Sequence, residues 1–338
     1  MDKDYINIVL TADNNYTKVI GITMTSVLEN LDKAKTARFY IFSYKFTDND
    51  IAELNKLKDK YDCEIINIPM EEHIHKFDFV DIATFRNQWI SIAGHFRLLM
   101  FDILPETVEE CYYLDSDLII NCDISKIKLD KDKIFIAVPE PCAMQWREDI
   151  LKHCYEYPEF KKFQEDALNN PYFNSGFYVV NLKKSRELNI YNKIFDFFKE
   201  HPNPPMPDQD VLNVIFGQEF RDLVIYLSPE YNVFADIDYN LLYDNLSYDD
   251  SVLKSAMQSP KIIHFAGAKK PWGKNKPRYY NSVYKRYALI SPWKNEYLKK
   301  EFLIKLSNIL KSIFSLYNEN NRKVICIFGI KFKFKRKG

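Results

Sequence analysis

The chain has 338 residues, 46% of them hydrophobic and 28% charged, and its 47 basic side chains balance 47 acidic ones. This is ordinary for a soluble globular chain with room for a sizeable core, as one large α/β domain or two smaller ones. No apolar run reaches the roughly 18 residues of a membrane-spanning helix, and the start, Met-Asp-Lys-Asp-Tyr, lacks the charged-then-apolar pattern of a secretory signal.

In chain order, Ile6 to Ala12 reads as a strand. Thr17 to Leu31 reads as a helix with Val19, Ile20, Met24, Val27, Leu28 and Leu31 on one apolar face, and Ala37 to Tyr44 as a second strand. Thr47 caps a helix running to about Tyr61, and Cys63 to Met70 forms a third strand. Strands alternating with helices predict a parallel sheet with crossover helices. The first of only 8 glycines is Gly21, so no glycine-rich phosphate loop follows the first strand, which disfavours a dinucleotide-binding fingerprint and a P-loop. Further along, a helix is expected from Gly94 to about Leu104, and strands at Ile134 to Glu140, Tyr172 to Leu182 and Lys261 to Phe265. Helices are also expected up to about His201 and from near Asp208.

A boundary near Trp293 to Asn295 divides an expected catalytic body, residues 1–292, from residues 293–338. An amphipathic helix is expected over Glu296 to Leu316, where Phe302, Leu303, Leu306, Ile309, Leu310, Ile313 and Phe314 recur at helical spacing. Seven basic residues and no acidic one lie between Arg322 and Gly338, leaving the rest of the chain with 40 basic against 47 acidic side chains. The alternating apolar and basic residues of this end suit the anionic inner surface of a membrane. A disordered basic end is the plainer reading, and nucleic acid is not an expected partner. The six cysteines form no Cys-x-x-Cys pair and read as buried free thiols of a reducing cytoplasm.

Asp-x-Asp occurs six times, beginning at Asp2, Asp48, Asp115, Asp130, Asp208 and Asp236. Those at Asp2, Asp48 and Asp130 sit among other charges and read as solvated turns or caps. Asp115 and Asp117 differ, because Cys111 to Leu114 precede them and Leu118 to Ile120 follow, the pattern of a fully buried strand ending in a functional loop. An isolated carboxylate out of water costs more than a fold can spare, so such a pair calls for a partner, and a divalent cation is one. A structural turn is the other reading.

Five segments occur in order: Leu10-Thr11-Ala12-Asp13-Asn14-Asn15-Tyr16, Tyr113-Leu114-Asp115-Ser116-Asp117, Phe173-Asn174-Ser175-Gly176, Asp208-Gln209-Asp210-Val211-Leu212-Asn213, and His264 to Trp272. Together they resemble glycosyltransferase family 8, above all its bacterial lipopolysaccharide galactosyltransferases and glucosyltransferases, over roughly residues 5–275. The resemblance implies the GT-A nucleotide-sugar transferase fold, an α/β architecture with a mixed, mostly parallel central sheet flanked by helices. It also implies transfer of galactose or glucose from a UDP-sugar, with retention, to a lipopolysaccharide or other glycan or glycolipid acceptor. The expected location is the cytoplasmic face of the inner membrane.

Carried over position by position, the resemblance makes Asp115, Asp117 and His264 metal ligands, and the imidazole tilts this donor set towards Mn²⁺ over Mg²⁺. Lys270 would contact the diphosphate and Gly267 would permit close backbone approach. Asp13 and Asn15 would hydrogen-bond uracil, with Tyr16 as a stacking face, in a donor-binding set that includes Thr11, Ala12 and Ser116. Arg97 would reach the donor sugar or diphosphate, Asn174 and Asp208 would hold sugar hydroxyls, and Gln209 would face the anomeric carbon. An amide oxygen is a poor nucleophile, so front-face attack is expected, with Gln209 stabilising the oxocarbenium-like state and Asp208 beside it.

Plainer readings stand beside several of these: a helix-capping loop at Asp13 to Asn15, a structural ion pair at Arg97, a turn at Gly267. Asp210 holds a hydroxyl or orients its helix, and Glu140 either contacts the acceptor or is a surface ion pair. Two other function classes remain, a haloacid-dehalogenase-like phosphatase and a non-catalytic sugar-nucleotide-binding relative. The first places its nucleophilic strand at the start of the catalytic core, whereas three strand-like segments come first here; the second predicts a lost metal ligand.

Overall fold

The computed structural model describes residues 3–77, 92–141, 171–201, 204, 206–238, 248–319, 322–327 and 330–335. Parallel strands β1 (Tyr5–Asp13) and β2 (Thr36–Tyr44) are joined by helix α1 (Thr17–Asn30). Side chains of β1 alternate between two cores, Val9 entering one and Ile8 and Leu10 the other, which is why the middle of this strand is apolar on both faces. Helix α2 (Asp48–Asn55) starts at a capping box made by Thr47 and Asp50, and β3 (Cys63–Pro69) follows. It ends earlier than expected, a 3-10 turn over Lys56–Asp59 completing the segment.

The expected helix from Gly94 is instead a 3-10 segment, Ile92–Leu99, leading into a single α turn, α3 (Met100–Ile103). The Arg97 guanidinium donates to the Gly94 carbonyl at 2.7 Å and so takes an acceptor that an α-helical ladder would use. The remaining strands of the body are β4 (Glu110–Leu114), β5 (Leu118–Ile120), β6 (Phe135–Pro139) and β7 (Phe173–Asn181). The single helix expected up to His201 is two, α4 (Leu182–Glu187) and α5 (Ile190–Glu200), broken where Asn189 adopts the left-handed conformation. Helix α6 (Pro207–Val214), β8 (Val224–Tyr226), β9 (Val233–Phe234), α7 (Asp250–Gln258) and β10 (Ile262–His264) complete the site-bearing part.

The main sheet has the order β3-β2-β1-β4-β7-β6-β8, with β7 antiparallel to both neighbours and every other pair parallel. The chain moves outward from β1 to β3 and then returns to place β4 on the other side of β1. That reversal opens a crevice at the carboxyl ends of β1 and β4, where doubly wound sheets bind ligands. A small sheet, β5-β10-β9, lies beside it. The carboxylate pair lies in a loop at the end of a buried strand, as its apolar flanks suggested, but the apolar run that follows belongs to a different sheet. Strand β4 belongs to the main sheet and β5 to the small one, and Asp115 to Asp117 form the turn between them.

After α8 (Asn281–Ile290), helix α9 (Lys294–Ile313) leads into an antiparallel meander, β11 (Phe314–Glu319), β12 (Arg322–Ile327) and β13 (Ile330–Lys335), where a helix and basic tail were expected. The alternating sequence is strand periodicity. Its register puts Lys331 and Lys333 opposite buried Cys326 and Val324, while Ile330 and Phe332 lie opposite Ile327 and Ile325. The exposed apolar side chains Ile327, Ile330, Phe332 and Phe334 share the other face. Trp293 and Tyr297 are buried in the α1-side core, with Trp293 directly over Gly21 and donating to Glu53 at 3.1 Å. Among the described residues no helix is long and apolar enough to cross a membrane.

Candidate active site

At the carboxyl end of β4 the turn Asp115-Ser116-Asp117 is held from two sides. Ser116 Oγ donates to the Thr11 carbonyl of β1, and Thr23 Oγ1 of α1 donates to the carbonyls of Ser116 and Leu118 at 2.7 and 2.8 Å. His264, at the end of β10, brings Nε2 to 3.5 Å from Asp115 Oδ2 and 3.3 Å from Asp117 Oδ1. One donor atom from each of the three lies within 4.8 Å of the others.

Gly176 closes the same space. A Cβ there would meet His264 Cε1 at 2.4 Å and Asp115 Oδ2 at 2.9 Å, so the cluster exists only because this residue lacks a side chain. Two carboxylates and an imidazole converging in a cradle of this kind fit a divalent cation.

Two cations already face this cluster. Lys270 pairs with Asp117 and donates to the Phe265 carbonyl at 2.6 Å. Burial alone would raise the Asp117 carboxyl, but Lys270 and His264 outweigh it and hold the group well below the usual carboxylate range. Burial likewise opposes the Lys270 ammonium, and Asp117 more than compensates.

Arg97 is buried and spans the site, 2.7 Å from Asp115 Oδ1 and 3.1 Å from Asp208 Oδ2. It also donates to the Ser175 carbonyl at 2.7 Å and lies 4.5 Å over the Tyr113 ring. Tyr113 donates to Asp115 Oδ1 at 2.9 Å, and its hydroxyl lies 3.1 Å from Thr11 Oγ1.

The first helical turn of α6 supplies Asp208 and Gln209, both buried. Gln209 Oε1 accepts from Asn174 Nδ2 at 2.9 Å and from the Ser175 N–H at 3.1 Å, while its Nε2 donates to Glu140 Oε2 at 3.0 Å. Ser175 is available because the β6–β7 pairing slips from Ala137–Tyr178 to Val138–Asn174, which leaves it out of that ladder. Asp210 instead receives the Tyr172 hydroxyl at 2.6 Å and the Met206 N–H at 2.8 Å, fixing the start of α6.

At the end of β1, Asp13 accepts from the Asn15 N–H at 2.9 Å in a local turn, Ala12 is buried, and Tyr16 meets Trp272 edge to face at 6.1 Å. Gly267 has φ of +80° with open space around it, so the backbone conformation is what calls for glycine there.

A sequence profile described as "Glycosyl transferase family 8" matches residues 7–276. The chain belongs to glycosyltransferase family 8. Among its relatives, General stress protein A of Bacillus subtilis (strain 168) is 26% identical over 298 residues, 87% of this chain and 96% of that protein. The Lipopolysaccharide 1,2-glucosyltransferase of Escherichia coli (strain K12) is 27% identical over 295 residues, 86% of this chain and 80% of that one. Among solved structures, galactosyltransferase LgtC in complex with donor and acceptor sugar analogues superposes with a TM-score of 0.65 at 19% identity, over 85% of this chain and 96% of that one. The bifunctional glycosyltransferase WbbM gives 0.66 at 19% identity, over 89% of this chain and 52% of that one. This family 8 chain thus spans about half of WbbM. It is a glycosyltransferase with the expected GT-A fold.

The structure of this family 8 enzyme brings Asp115, Ser116, Asp117, Arg97, Asn174, Asp208, Gln209, His264 and Lys270 into one contiguous network. Four further members were not singled out from sequence: Tyr113, Ser175, Asn232 and His95, whose Nδ1 lies 3.6 Å from Asp208 Oδ1. Tyr113, Ser175 and His95 lie within or beside quoted segments, so neighbourhood was a usable signal for them. Asn232 lies 32 residues from its partner His264 and carried none. Of the six cysteines, Cys142 and Cys154 lie outside the described residues, and the other four are free thiols.

Proposed function

We propose that this enzyme transfers galactose or glucose from a UDP-sugar, with retention, to a lipopolysaccharide or other surface-glycan acceptor. The convergence of Asp115, Asp117 and His264 beside Lys270 carries this reading. The three side chains would hold Mn²⁺, the imidazole favouring it over Mg²⁺. Bound there, the ion would neutralise the diphosphate leaving group as the glycosidic bond breaks.

Lys270 would exchange its contact with Asp117 for a diphosphate oxygen. Asp13, Asn15 and Tyr16 would receive the uracil, and Thr11, Ala12 and Gly267 would shape the backbone around the nucleotide. Arg97 would act chiefly by holding Asp115 and Asp208 in place, because most of its donors are already engaged. Asp208 and Asn174 would meet sugar hydroxyls.

Both lone-pair directions of Gln209 Oε1 receive N–H groups, which supports an electrostatic role over nucleophilic attack. In the proposed step the acceptor hydroxyl attacks the anomeric carbon on the face the diphosphate leaves. The bond from that carbon to the diphosphate breaks, and the hydroxyl proton passes to the departing phosphate oxygen. Glu140, bonded to Gln209, faces the acceptor side in this reading.

Residues 293–338 would hold the enzyme on the cytoplasmic face of the inner membrane through the exposed apolar side chains of α9 and β13, with the basic residues of the same segment adding attraction to anionic lipid. A phosphatase gains no support, and a non-catalytic relative predicts a lost metal ligand, whereas Asp115, Asp117 and His264 are all present. The decisive experiment is a panel of UDP-sugars assayed for Mn²⁺-dependent release of UDP, with Asp117→Ala alongside. Turnover of a UDP-hexose lost in that variant is expected; hydrolysis of phosphate monoesters with no UDP-hexose turnover would overturn the proposal.

A further inference from the structure

A continuous path of side-chain amides connects His264 to Gln209 and Glu140. His264 Nδ1 lies 3.1 Å from Asn232 Oδ1 and Asn232 Nδ2 donates to Asn174 Oδ1 at 2.9 Å. Asn174 Nδ2 donates to Gln209 Oε1 at 2.9 Å, and Gln209 Nε2 donates to Glu140 Oε2 at 3.0 Å.

The chemistry of the groups fixes the direction of every link. The Ser175 backbone N–H can only donate, so Gln209 turns its oxygen towards it and Asn174, and its NH₂ towards Glu140. Asn174 must then donate to Gln209, which leaves its oxygen to accept from Asn232 and from the Gly176 N–H at 3.0 Å. Asn232 gives its NH₂ to Asn174, so its oxygen faces His264. When Nε2 gives up its proton to bind a cation, the remaining imidazole proton therefore sits on Nδ1, and the lone pair of Nε2 points into the space between Asp115 and Asp117.

We propose that Asn232 is a positioning residue that sets the metal-binding tautomer of His264 and ties its ring to the amide orientation of Gln209. This rests on the reading of Asp115, Asp117 and His264 as the metal site. Asn232 is 2% exposed, His264 3% and Gln209 4%, so water does not replace a lost link. Partners of this kind on the far nitrogen of a ligating histidine govern both ring orientation and metal affinity.

Two substitutions separate the two arms. Asn232→Leu removes both; Asn232→Asp keeps an acceptor for the His264 N–H but offers Asn174 no donor. By calorimetric Mn²⁺ titration without UDP-sugar, Asn232→Leu is expected to bind about 10 to 100-fold more weakly, and Asn232→Asp at least as tightly as the native protein. UDP release at saturating Mn²⁺ is expected to fall about tenfold or more in Asn232→Asp, through kcat, as the orientation of Asn174 and Gln209 is released.

In protein loaded with diamagnetic Mg²⁺, ¹⁵N shifts of His264 are expected to report a protonated Nδ1 and a proton-free Nε2 for the native chain and Asn232→Asp, and a mixture for Asn232→Leu. Native Mn²⁺ affinity in a folded Asn232→Leu, or weakened affinity in Asn232→Asp, would overturn the assignment to Asn232 alone. If the native protein bound no Mn²⁺, the metal reading itself would fall, and this inference with it.

Discussion

At the residue scale, the site works by crowding. Gly176→Ala adds one methyl group, yet that methyl would sit 2.4 Å from His264 Cε1. The strand around it is paired with β4 and has no room to recede. The expected outcome is a folded protein with Mn²⁺ affinity lowered by about tenfold or more, checked by titration calorimetry against a circular-dichroism melt. Arg97→Lys should do comparable harm by another route. Lysine keeps the charge, but it cannot bond Asp115, Ser175 and Asp208 at once, as the planar guanidinium does. A fall in kcat of roughly tenfold to a hundredfold with an intact fold is expected in the UDP-release assay. Activity unchanged in this variant would show that Arg97 does not hold the two carboxylates.

At the element scale, the joint between α1 and the segment opening α9 is closely packed. A Cβ on Gly21 would come 2.1 Å from Trp293 Cη2, so the indole packs against bare backbone. Gly21→Ala should cost about 1–3 kcal/mol through overpacking, and Trp293→Ala about 3–5 kcal/mol through the cavity it leaves. The double variant should lose less than the sum, because the cavity accepts the added methyl. Denaturant unfolding of the three variants measures this coupling, and strict additivity would contradict the packing. The boundary expected near residue 293 thus falls on one of the best-buried side chains of the α1-side core. A lone tryptophan followed by polar residues gives no sign of that from sequence, since its partner is 272 residues away.

At the scale of the whole molecule, the enzyme has a polar crevice holding the candidate active site at the carboxyl ends of β1 and β4, and separate exposed apolar and basic side chains on its last elements. Phe302, Leu303, Ile309 and Leu310 of α9, with Ile330, Phe332 and Phe334 of β13, are all more than two-fifths exposed. Vesicles containing phosphatidylglycerol should bind the protein, and binding should weaken as salt rises. Replacing Phe332 and Phe334 with serine should reduce co-sedimentation while leaving UDP release unchanged. Equal recovery with neutral vesicles at every salt concentration would contradict an electrostatic contribution.

The sequence by itself determined the parallel β1-α1-β2-α2-β3 start, because apolar runs and the Thr47 cap are local signals, and ordered motifs determined the family. It also picked out Asp115 and Asp117 among six similar doublets by their apolar flanks. Only the tertiary structure decided that these carboxylates lie in a turn between two sheets, since an apolar run reads alike whether it stays in one sheet or crosses to another. Only the fold could reveal the partners that orient His264 and Gln209. Asn232, Ser175 and Glu140 act through distances of about 3 Å between residues far apart in the chain, and periodicity and propensity carry no information about such contacts.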